Sequence, residues 1–303
     1  MRNRLHSRYG YTTTDTDSDL LLEGVFDSNI DRETPGAVRI ALWREWSPML
    51  EDLRGIGPVW SVVRNGHCVL SVHGDYPKLA LTSDQQSGSA LGEKSSLNCH
   101  FRAWRQAIAF DSRCCCGRVC GLDIENWDGL VFHRICLSPG SNPAPFAEWI
   151  QTHQATGLEE DGLDDERVPL DRGRFHPQSF APVPGTLQAL PQTLRPLLIK
   201  AAEREIPLAA GVLSEGVTQT SLLEIERASE AQGWLVLAAP RSSLYVESEP
   251  RGSLHVEPVT IEGERSWRLS LVAAEGVRVL SLQPGVEGRE SWNQLVTDVV
   301  LRR

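Results

Sequence analysis

Two stretches of this chain decide the fold: LDIENWDGLVFHRI, from Leu122 to Ile135, and LSLVAAEGVRVLSL, from Leu269 to Leu282. In each, apolar and polar residues alternate on both sides of an Asp-Gly or Glu-Gly pair, which is the pattern of a β-hairpin. An offset of 147 residues superimposes the two stretches and brings Gly129 onto Gly276. That period is too long for a solenoid repeat, so the pattern predicts a domain duplication.

The sequence around each hairpin is repeated as well. A Pro/Gly turn and a helix with one tryptophan, Trp149 or Trp292, follow each hairpin. A second hairpin precedes it, turning at Asn65-Gly66 in the first copy and near Pro240-Arg241 in the second. In each copy the sequence just before this earlier hairpin predicts a short helix, namely WREWSPMLEDLRGIG in the first copy and SLLEIERASEAQG in the second. The second of these helices has capping-box spacing at Ser221 and Glu224. The prediction is an α+β fold of two structural repeats, each a large antiparallel β-sheet of meandering hairpins with flanking helices, with a cleft between the halves.

Composition shifts along the chain predict the domain boundaries. Residues 1–18 are polar and indicate a disordered tail, and residues 19–156 form the N-terminal repeat. Residues 157–185 combine the acidic run GLEEDGLDDER with several prolines, which is typical of a solvated linker. Residues 186–303 then form the C-terminal repeat.

Overall composition bounds the function. The 303 residues include 41% hydrophobic and 23% charged residues, enough for a packed core. A net charge of −10 argues against nucleic acid or an anionic membrane as the main partner. No apolar run is long enough to span a membrane, and the N-terminus lacks the apolar region of a secretory signal. Seven cysteines without a disulfide-type spacing indicate reduced thiols and a cytoplasmic location.

Local motifs exclude several enzyme classes. The sequence has no Walker loop, G-x-G-x-x-G, H-E-x-x-H or G-x-S-x-G motif. The cluster CCCGRVC, from Cys114 to Cys120, lacks the C-x-x-C spacing of zinc sites, and adjacent side chains of an extended segment point to opposite faces. We therefore predict structural thiols and no zinc, with a metal site at this cluster as the alternative.

The segment HFRAWRQAIAF, from His100 to Phe110, predicts an amphipathic helix. Its apolar residues recur at helical spacing, and His100 and Trp104 are neighbours four residues apart. Arg102 and Arg105 lie on another face. A basic and aromatic surface on an acidic protein suits a flat aromatic ligand with two carboxylates. The alternative is a solvated helix without a ligand.

The order of these motifs resembles the haem-utilisation family of HemS/ChuS type, the hemin-degrading factors. The resemblance rests on VVRNGHCVLSVHGDY (62–76), on SLNCHFRAWRQAIAF (96–110) and on GLDIENWDGLVFHRICL (121–137) with the Trp149 helix after it. The second half repeats the pattern, and the resemblance covers residues 40–303. It implies two repeats with haem bound in the cleft between them, and a cytoplasmic protein that binds and traffics haem.

The resemblance also implies site residues, and here the chain departs from the family. The family has an arginine in a Leu-Asp-x-Arg motif, where this chain has Leu97-Asn98-Cys99-His100. The family's axial histidine would fall near Ala189, and the nearest histidine is His176. The implied haem site is therefore His100 as candidate iron ligand with Arg102, Trp104, Arg105 and His176 around it.

The predicted function is cytoplasmic haem binding in haem and iron utilisation, with a haem-uptake or haem-accepting protein as a further partner. No catalytic residue is identified, and oxygenase-like haem degradation is left open. The alternative is a divergent, non-catalytic scaffold of the same fold that has lost the haem site and binds a protein partner.

Overall fold

The structure, a computed structural model, describes residues 38–114, 117–155 and 179–302, with residues 113, 114, 117 and 118 described by their backbone alone. Within these residues the first half contains β1 Val38–Leu42, β2 Pro58–Arg64, β3 Cys68–Asp75, β4 Ala80–Leu81, β5 Ser87–Leu91, β6 Ser95–His100, β7 Trp104–Cys114, β8 Gly117–Asn126 and β9 Val131–Leu137. The second half contains β10 Leu187–Ala189, β11 Leu208–Ser214, β12 Val217–Leu223, β13 Arg227–Ala231, β14 Trp234–Ala239, β15 Ser242–Glu247, β16 Ser253–Ile261, β17 Glu264–Val272 and β18 Arg278–Pro284. The α-helices are α1 Trp46–Asp52, α2 Pro143–His153, α3 Leu194–Glu203 and α4 Arg289–Val296.

These strands form two nine-stranded antiparallel sheets. Sheet A has the order β1-β7-β8-β9-β2-β3-β15-β14-β13, and sheet B has the order β10-β16-β17-β18-β11-β12-β6-β5-β4. Each sheet takes six strands from one half of the chain and three from the other, so the halves exchange strands at the β3–β15 and β12–β6 pairings. The predicted α+β fold with two large antiparallel sheets is confirmed, and the exchange makes the two halves one interlocked structure.

The sheet orders show which elements correspond between the halves. The hairpins β8–β9 and β17–β18 occupy the same position in their sheets, as the 147-residue offset predicts. The counterpart of β2–β3, however, is β11–β12, so the predicted equivalence of the Asn65 hairpin with the Pro240 hairpin is wrong. The helix predicted over SLLEIERASEAQG is also wrong, because these residues form the end of β12 and all of β13.

The main core lies on one face of each sheet, with the helices packed against it. Both predicted tryptophan helices exist, as α2 and α4. The Trp149 indole nitrogen donates to the Met49 carbonyl oxygen at 3.0 Å, and that of Trp292 to the Trp267 carbonyl oxygen at 2.8 Å. Each tryptophan is buried, so it fixes its closing helix by apolar packing and by one hydrogen bond to a neighbouring element.

The helix predicted from His100 to Phe110 does not form. The segment is the end of β6, a 3₁₀ turn at Phe101–Ala103 and the first part of β7. β7 pairs with β1 on one side and β8 on the other, and residues 107–110 are buried on both faces of the sheet. A strand covered on both faces has no polar alternation, so its apolar residues also fit a helical period.

Some predicted features lie outside the described residues: the tail 1–18, the acidic part of the linker, His176, Cys115 and Cys116. Among the cysteines described, Cys68, Cys99 and Cys136 are buried. The described residues contain no group of three or more His, Cys, Asp or Glu side chains that could hold a metal ion. None of the helices in the described ranges is long and apolar enough to cross a membrane.

Candidate functional site

One face of sheet B carries a strip of small and polar side chains. This face, called the polar face, lies on the side of sheet B opposite the core. A continuous row crosses it through directly paired residues, namely Ser96, Thr220, Gly211, Ser281, Ser270 and His255. A Cβ at Gly211 would come within 3.1 Å of the Thr220 methyl carbon. Because Gly211 has no side chain, no atom projects from the sheet in the middle of the row. The row therefore gives a flat floor on which a planar ligand could lie.

His100 stands on the polar face at the end of β6. Leu97 and Cys99 of this strand face the core, so Ser96 and His100 share the opposite face. The His100 backbone N–H donates to the Gly216 carbonyl oxygen at 2.8 Å, and its ring Nδ1 lies 3.1 Å from Ser87 Oγ. Partial burial lowers the pKa of His100, so its ring is neutral at pH 7, which is the form that ligates metals.

Arg102 lies just beyond His100 on the exposed 3₁₀ turn. Its carbonyl oxygen accepts from the Trp127 indole nitrogen at 3.1 Å, and the Arg44 guanidinium lies 5.6 Å from the centre of the Trp127 ring. A cavity of about 660 Å³ opens beside this turn, lined among others by Arg44 and Phe101. The surface therefore combines arginine and aromatic side chains with two carboxylates, because Glu45 and Asp84 also line the cavity and Asp84 interacts electrostatically with Arg102.

Trp104 and Arg105, also predicted in the site, are placed differently from His100. Trp104 is only 2% exposed and packs edge-on against Trp46 and Phe101 in the core, so it is not positioned to touch a ligand directly. Its indole nitrogen donates to the Gly216 carbonyl oxygen at 2.9 Å. Arg105 is half-buried near the start of β7. The structure thus brings His100 and Arg102 together near Trp104, but it assigns Trp104 to the core.

The counterpart of His100 in the other half is Glu247, at the end of β15. Both residues donate their backbone N–H to the turn of the hairpin beside them, His100 to Gly216 and Glu247 to His67 at 3.0 Å. The Glu247 carboxylate also lies 2.9 Å from Nδ1 of the His67 imidazole. The two halves therefore keep the same backbone contact but differ in chemistry, because a carboxylate stands where the first half presents an imidazole.

A second histidine, His255, lies at the far end of the polar face, although the sequence indicates only a structural or solvated histidine there. It pairs with Gln188 of β10, beside the Ala189 position where the family's axial histidine was expected. Its ring lies 4.5 Å from the Phe180 ring, and the Arg278 guanidinium lies 5.1 Å from the same ring. Pairings between distant segments bring these residues together, because β10 pairs with β16, β18 joins β16 through β17, and the bridge from Ser179 to Val277 places Phe180.

Five strand spacings separate β16, which carries His255, from β6, which carries His100, a distance of about 24 Å across the sheet. The two ends of the polar face therefore cannot both contact the centre of one small planar ligand. The far end is covered by Phe180 and holds the buried carboxylate of Glu257 with Arg278 at 3.0 Å. The end at His100 is thus the better candidate for a ligand.

A larger cavity of about 820 Å³ lies elsewhere, at the end of α3. Its lining includes five glutamates, Glu203, Glu205, Glu224, Glu226 and Glu287. A ring of carboxylates repels a ligand that carries carboxylates of its own, so this cavity does not suit the predicted dianionic ligand.

A buried histidine behind Trp104 makes the stability of the protein depend on pH. His133 Nδ1 lies 3.0 Å from the Val62 carbonyl oxygen, and its Nε2 lies 3.3 Å from the Tyr76 hydroxyl. Burial lowers the pKa of His133 to about 4, although the bond to Val62 acts in the opposite direction. The usual histidine pKa is about 6.5, so the unfolded chain takes up this proton first as the pH falls.

We therefore expect the His133 contribution to be fully present above pH 6.5 and to be lost as the pH falls toward 4. At about 1.4 kcal/mol per pKa unit, the loss between pH 7 and pH 4.5 is about 2–3 kcal/mol. Urea unfolding of wild type and His133→Gln at both pH values measures it. Equal pH dependence in the two proteins would contradict this assignment.

The chain is similar to known proteins in part of its sequence and in its fold. The sequence profile of the haemin-degrading HemS/ChuX domain matches residues 30–153. No curated protein sequence matches the chain. The structure is similar to holo-PhuS, a heme-binding protein from Pseudomonas aeruginosa, with 16% identity, 86% of each chain covered and a TM-score of 0.71. It is also similar to ChuS, a heme degrading enzyme from Escherichia coli O157:H7, with 14% identity, 86% of this chain and 87% of that chain covered, and a TM-score of 0.72.

Proposed function

We propose that this chain is a HemS/ChuS-type member of the haemin-degrading family and that it binds haem on the polar face of sheet B. In this proposal His100 is the axial ligand. The observation that carries the proposal is the half-buried imidazole of His100, which stands on that face with its ring Nδ1 at 3.1 Å from Ser87. Imidazole is an established axial ligand of haem iron.

The residues present fit such a group. Haem is planar and apolar with two carboxylates, and the floor beside His100 is made of small side chains at Ser96, Thr220 and Gly211. The guanidinium of Arg102, two residues beyond His100, is exposed and suits a carboxylate. When bound, haem supplies an iron centre that accepts an imidazole nitrogen.

Each of the candidate site residues has a separate role in this proposal. His100 binds and orients the group, Arg102 pairs with one propionate, and half-buried Arg105 is the candidate for the other. Trp104 acts from the core, because its bond to Gly216 holds the β6–β7 junction that presents His100. His176 is the second candidate imidazole in the sequence.

The biological role we propose is haem trafficking within haem utilisation in the cytoplasm, with haem passed from an uptake protein to an accepting protein. Haem degradation is the second candidate activity, because ChuS is described as a heme degrading enzyme. Adding a reductant to the haem complex in air separates the two roles: a stable Soret band supports trafficking, and its loss with product formation supports degradation.

The central test is titration of His100→Ala with hemin. We expect the variant to bind more weakly than wild type and to shift the Soret band, because removal of the imidazole changes the iron ligand set. Arg102→Ala should weaken binding without a spectral change, since a guanidinium is not an iron ligand. Absorption spectra recorded during both titrations measure the affinity and the band position.

The matched control is His73→Ala, because His73 lies on sheet A and its ring contacts Trp60 rather than the polar face. It should retain the wild-type spectrum. An unchanged spectrum and affinity in His100→Ala, with the fold intact by circular dichroism, would refute the ligand role. No hemin binding by wild type would favour the alternative of a scaffold that binds a protein partner.

A further inference from the structure

The contact between Ser87 and His100 is held in place by the backbone on both sides. Ser87 of β5 and His100 of β6 are direct partners in the antiparallel ladder. The His100 N–H donates to the Gly216 carbonyl oxygen at 2.8 Å, and the Phe101 N–H donates to the Gln86 carbonyl oxygen at 2.9 Å. The 3.1 Å approach of Ser87 Oγ to His100 Nδ1 thus follows from the strand register as well as from the side-chain rotamers.

This contact decides which ring nitrogen can act as a ligand. Nδ1 is engaged by Ser87, so the ring can reach an iron only through Nε2. A neutral imidazole ligates through the nitrogen without a proton, so ligation by Nε2 requires the proton on Nδ1. The Ser87 hydroxyl oxygen can accept that proton in a hydrogen bond.

We propose that Ser87 is a positioning residue that holds His100 in the Nδ1–H tautomer and thereby makes Nε2 the haem ligand. The inference rests on the proposed function and adds to it a residue that acts on the iron ligand through His100. Hydrogen bonds from the second nitrogen of a ligating histidine fix its orientation and raise its basicity, and their loss typically costs 10–100-fold in metal affinity.

The first experiment needs no haem. Long-range nitrogen–proton correlation spectra of ¹⁵N-histidine-labelled protein assign the tautomer of His100 from its nitrogen shifts. Wild type should show a protonated Nδ1, and Ser87→Ala should show an Nε2–H form or a mixture. Ser89→Ala is the matched control, because Ser89 is exposed on the same strand and pairs with Asn98. A wild-type ring protonated on Nε2 would overturn the inference without touching the proposed function.

The second experiment uses hemin. Ser87→Ala should bind it about 10–100-fold more weakly than wild type, and the reduction potential of the bound haem should rise because a less basic imidazole stabilises ferric iron less. Ser87→Thr, which keeps the hydroxyl, should restore both values, and Ser89→Ala should match wild type.

The outcomes separate the two ideas. If His100→Ala alters the Soret band but Ser87→Ala behaves as Ser89→Ala does, the inference is overturned and the proposed function stands. If wild type binds no hemin, both are overturned. A potential that moves with Ser87→Ala and returns with Ser87→Thr supports the positioning role, because a general loss of folding would not recover in this way.

Discussion

Replacing Asp123 by Ala should lower the free energy of unfolding by about 3–5 kcal/mol. Asp123 is fully buried on sheet A, and Arg134, which is 2% exposed, donates to it through Nε at 2.6 Å and Nη2 at 3.1 Å. Arg39 approaches the same carboxylate at 3.5 Å. Without Asp123 the Arg134 guanidinium stays charged and buried with its main counter-ion removed, which is far costlier than loss of a surface pair.

Urea unfolding followed by tryptophan fluorescence measures this loss. Lys94→Ala is the control, because the ion pair of Lys94 with Glu224 is exposed and should contribute less than about 1 kcal/mol. The double variant Asp123→Leu, Arg134→Met should recover much of the stability, since apolar residues of similar volume often replace a buried pair without loss. A single Asp123→Ala variant within 1 kcal/mol of wild type would contradict the prediction.

This ion pair shows what the sequence could and could not predict. The Asp128-Gly129 turn predicts the hairpin β8–β9, and Gly129 has the positive φ of 74° that such a turn needs. The hairpin in turn aligns Asp123 with Arg134. The third member, Arg39, comes from β1, which reaches this sheet only by pairing with β7. The turn can be predicted from two adjacent residues, whereas the β1–β7 pairing joins distant parts of the chain and has no local sequence pattern.

The errors in secondary structure have a related cause. Residues 100–110 include three alanines and two arginines, which favour helices, but pairing with β1 and β8 overrides this preference. Ser221 and Glu224 have the spacing of a capping box, yet Ser221 lies in β12 and pairs with Ala210 of β11. Both segments are strands because of partners that the local sequence does not indicate.

In the candidate site, too, some residues follow from local sequence and others only from strand pairing. His100 could be predicted because it stands at a definite position in a motif. Ser87, thirteen residues away in sequence, joins it through the β5–β6 ladder. Gly216 joins it from the other half of the chain, through the exchange of strands between the sheets. The duplication was visible as an offset in sequence, but the exchange is a property of pairing and leaves no local pattern.

The second large effect concerns Trp104, where the core and the candidate site meet. The Trp104 ring is 5.1 Å from Trp46 and 4.9 Å from Phe101, centre to centre, and its indole nitrogen donates to Gly216. Gly216 has a φ of 81°, and a Cβ there would come within 2.6 Å of the Ala103 Cβ. The two halves thus approach so closely at this point that only glycine fits opposite the tryptophan.

Trp104→Ala should therefore destabilise the protein by about 3–5 kcal/mol, because it leaves a cavity in the core and removes one of the two hydrogen bonds that the Gly216 carbonyl oxygen accepts. Trp104→Phe fills part of the space and should cost less, which keeps the test valid if the alanine variant does not fold. Trp127→Ala is the control, since Trp127 is 41% exposed and its loss should cost only about 1 kcal/mol.

Trp104→Phe also tests how the core supports the site. Its bond to Gly216 and the His100 N–H bond converge on the same carbonyl oxygen, so losing the first should loosen the turn that holds His100. We expect Trp104→Phe to weaken hemin binding while the Soret position stays that of wild type, because the imidazole itself remains. If instead folded Trp104→Phe bound hemin with wild-type affinity, the core contact at Gly216 would be shown to stabilise the fold without positioning His100.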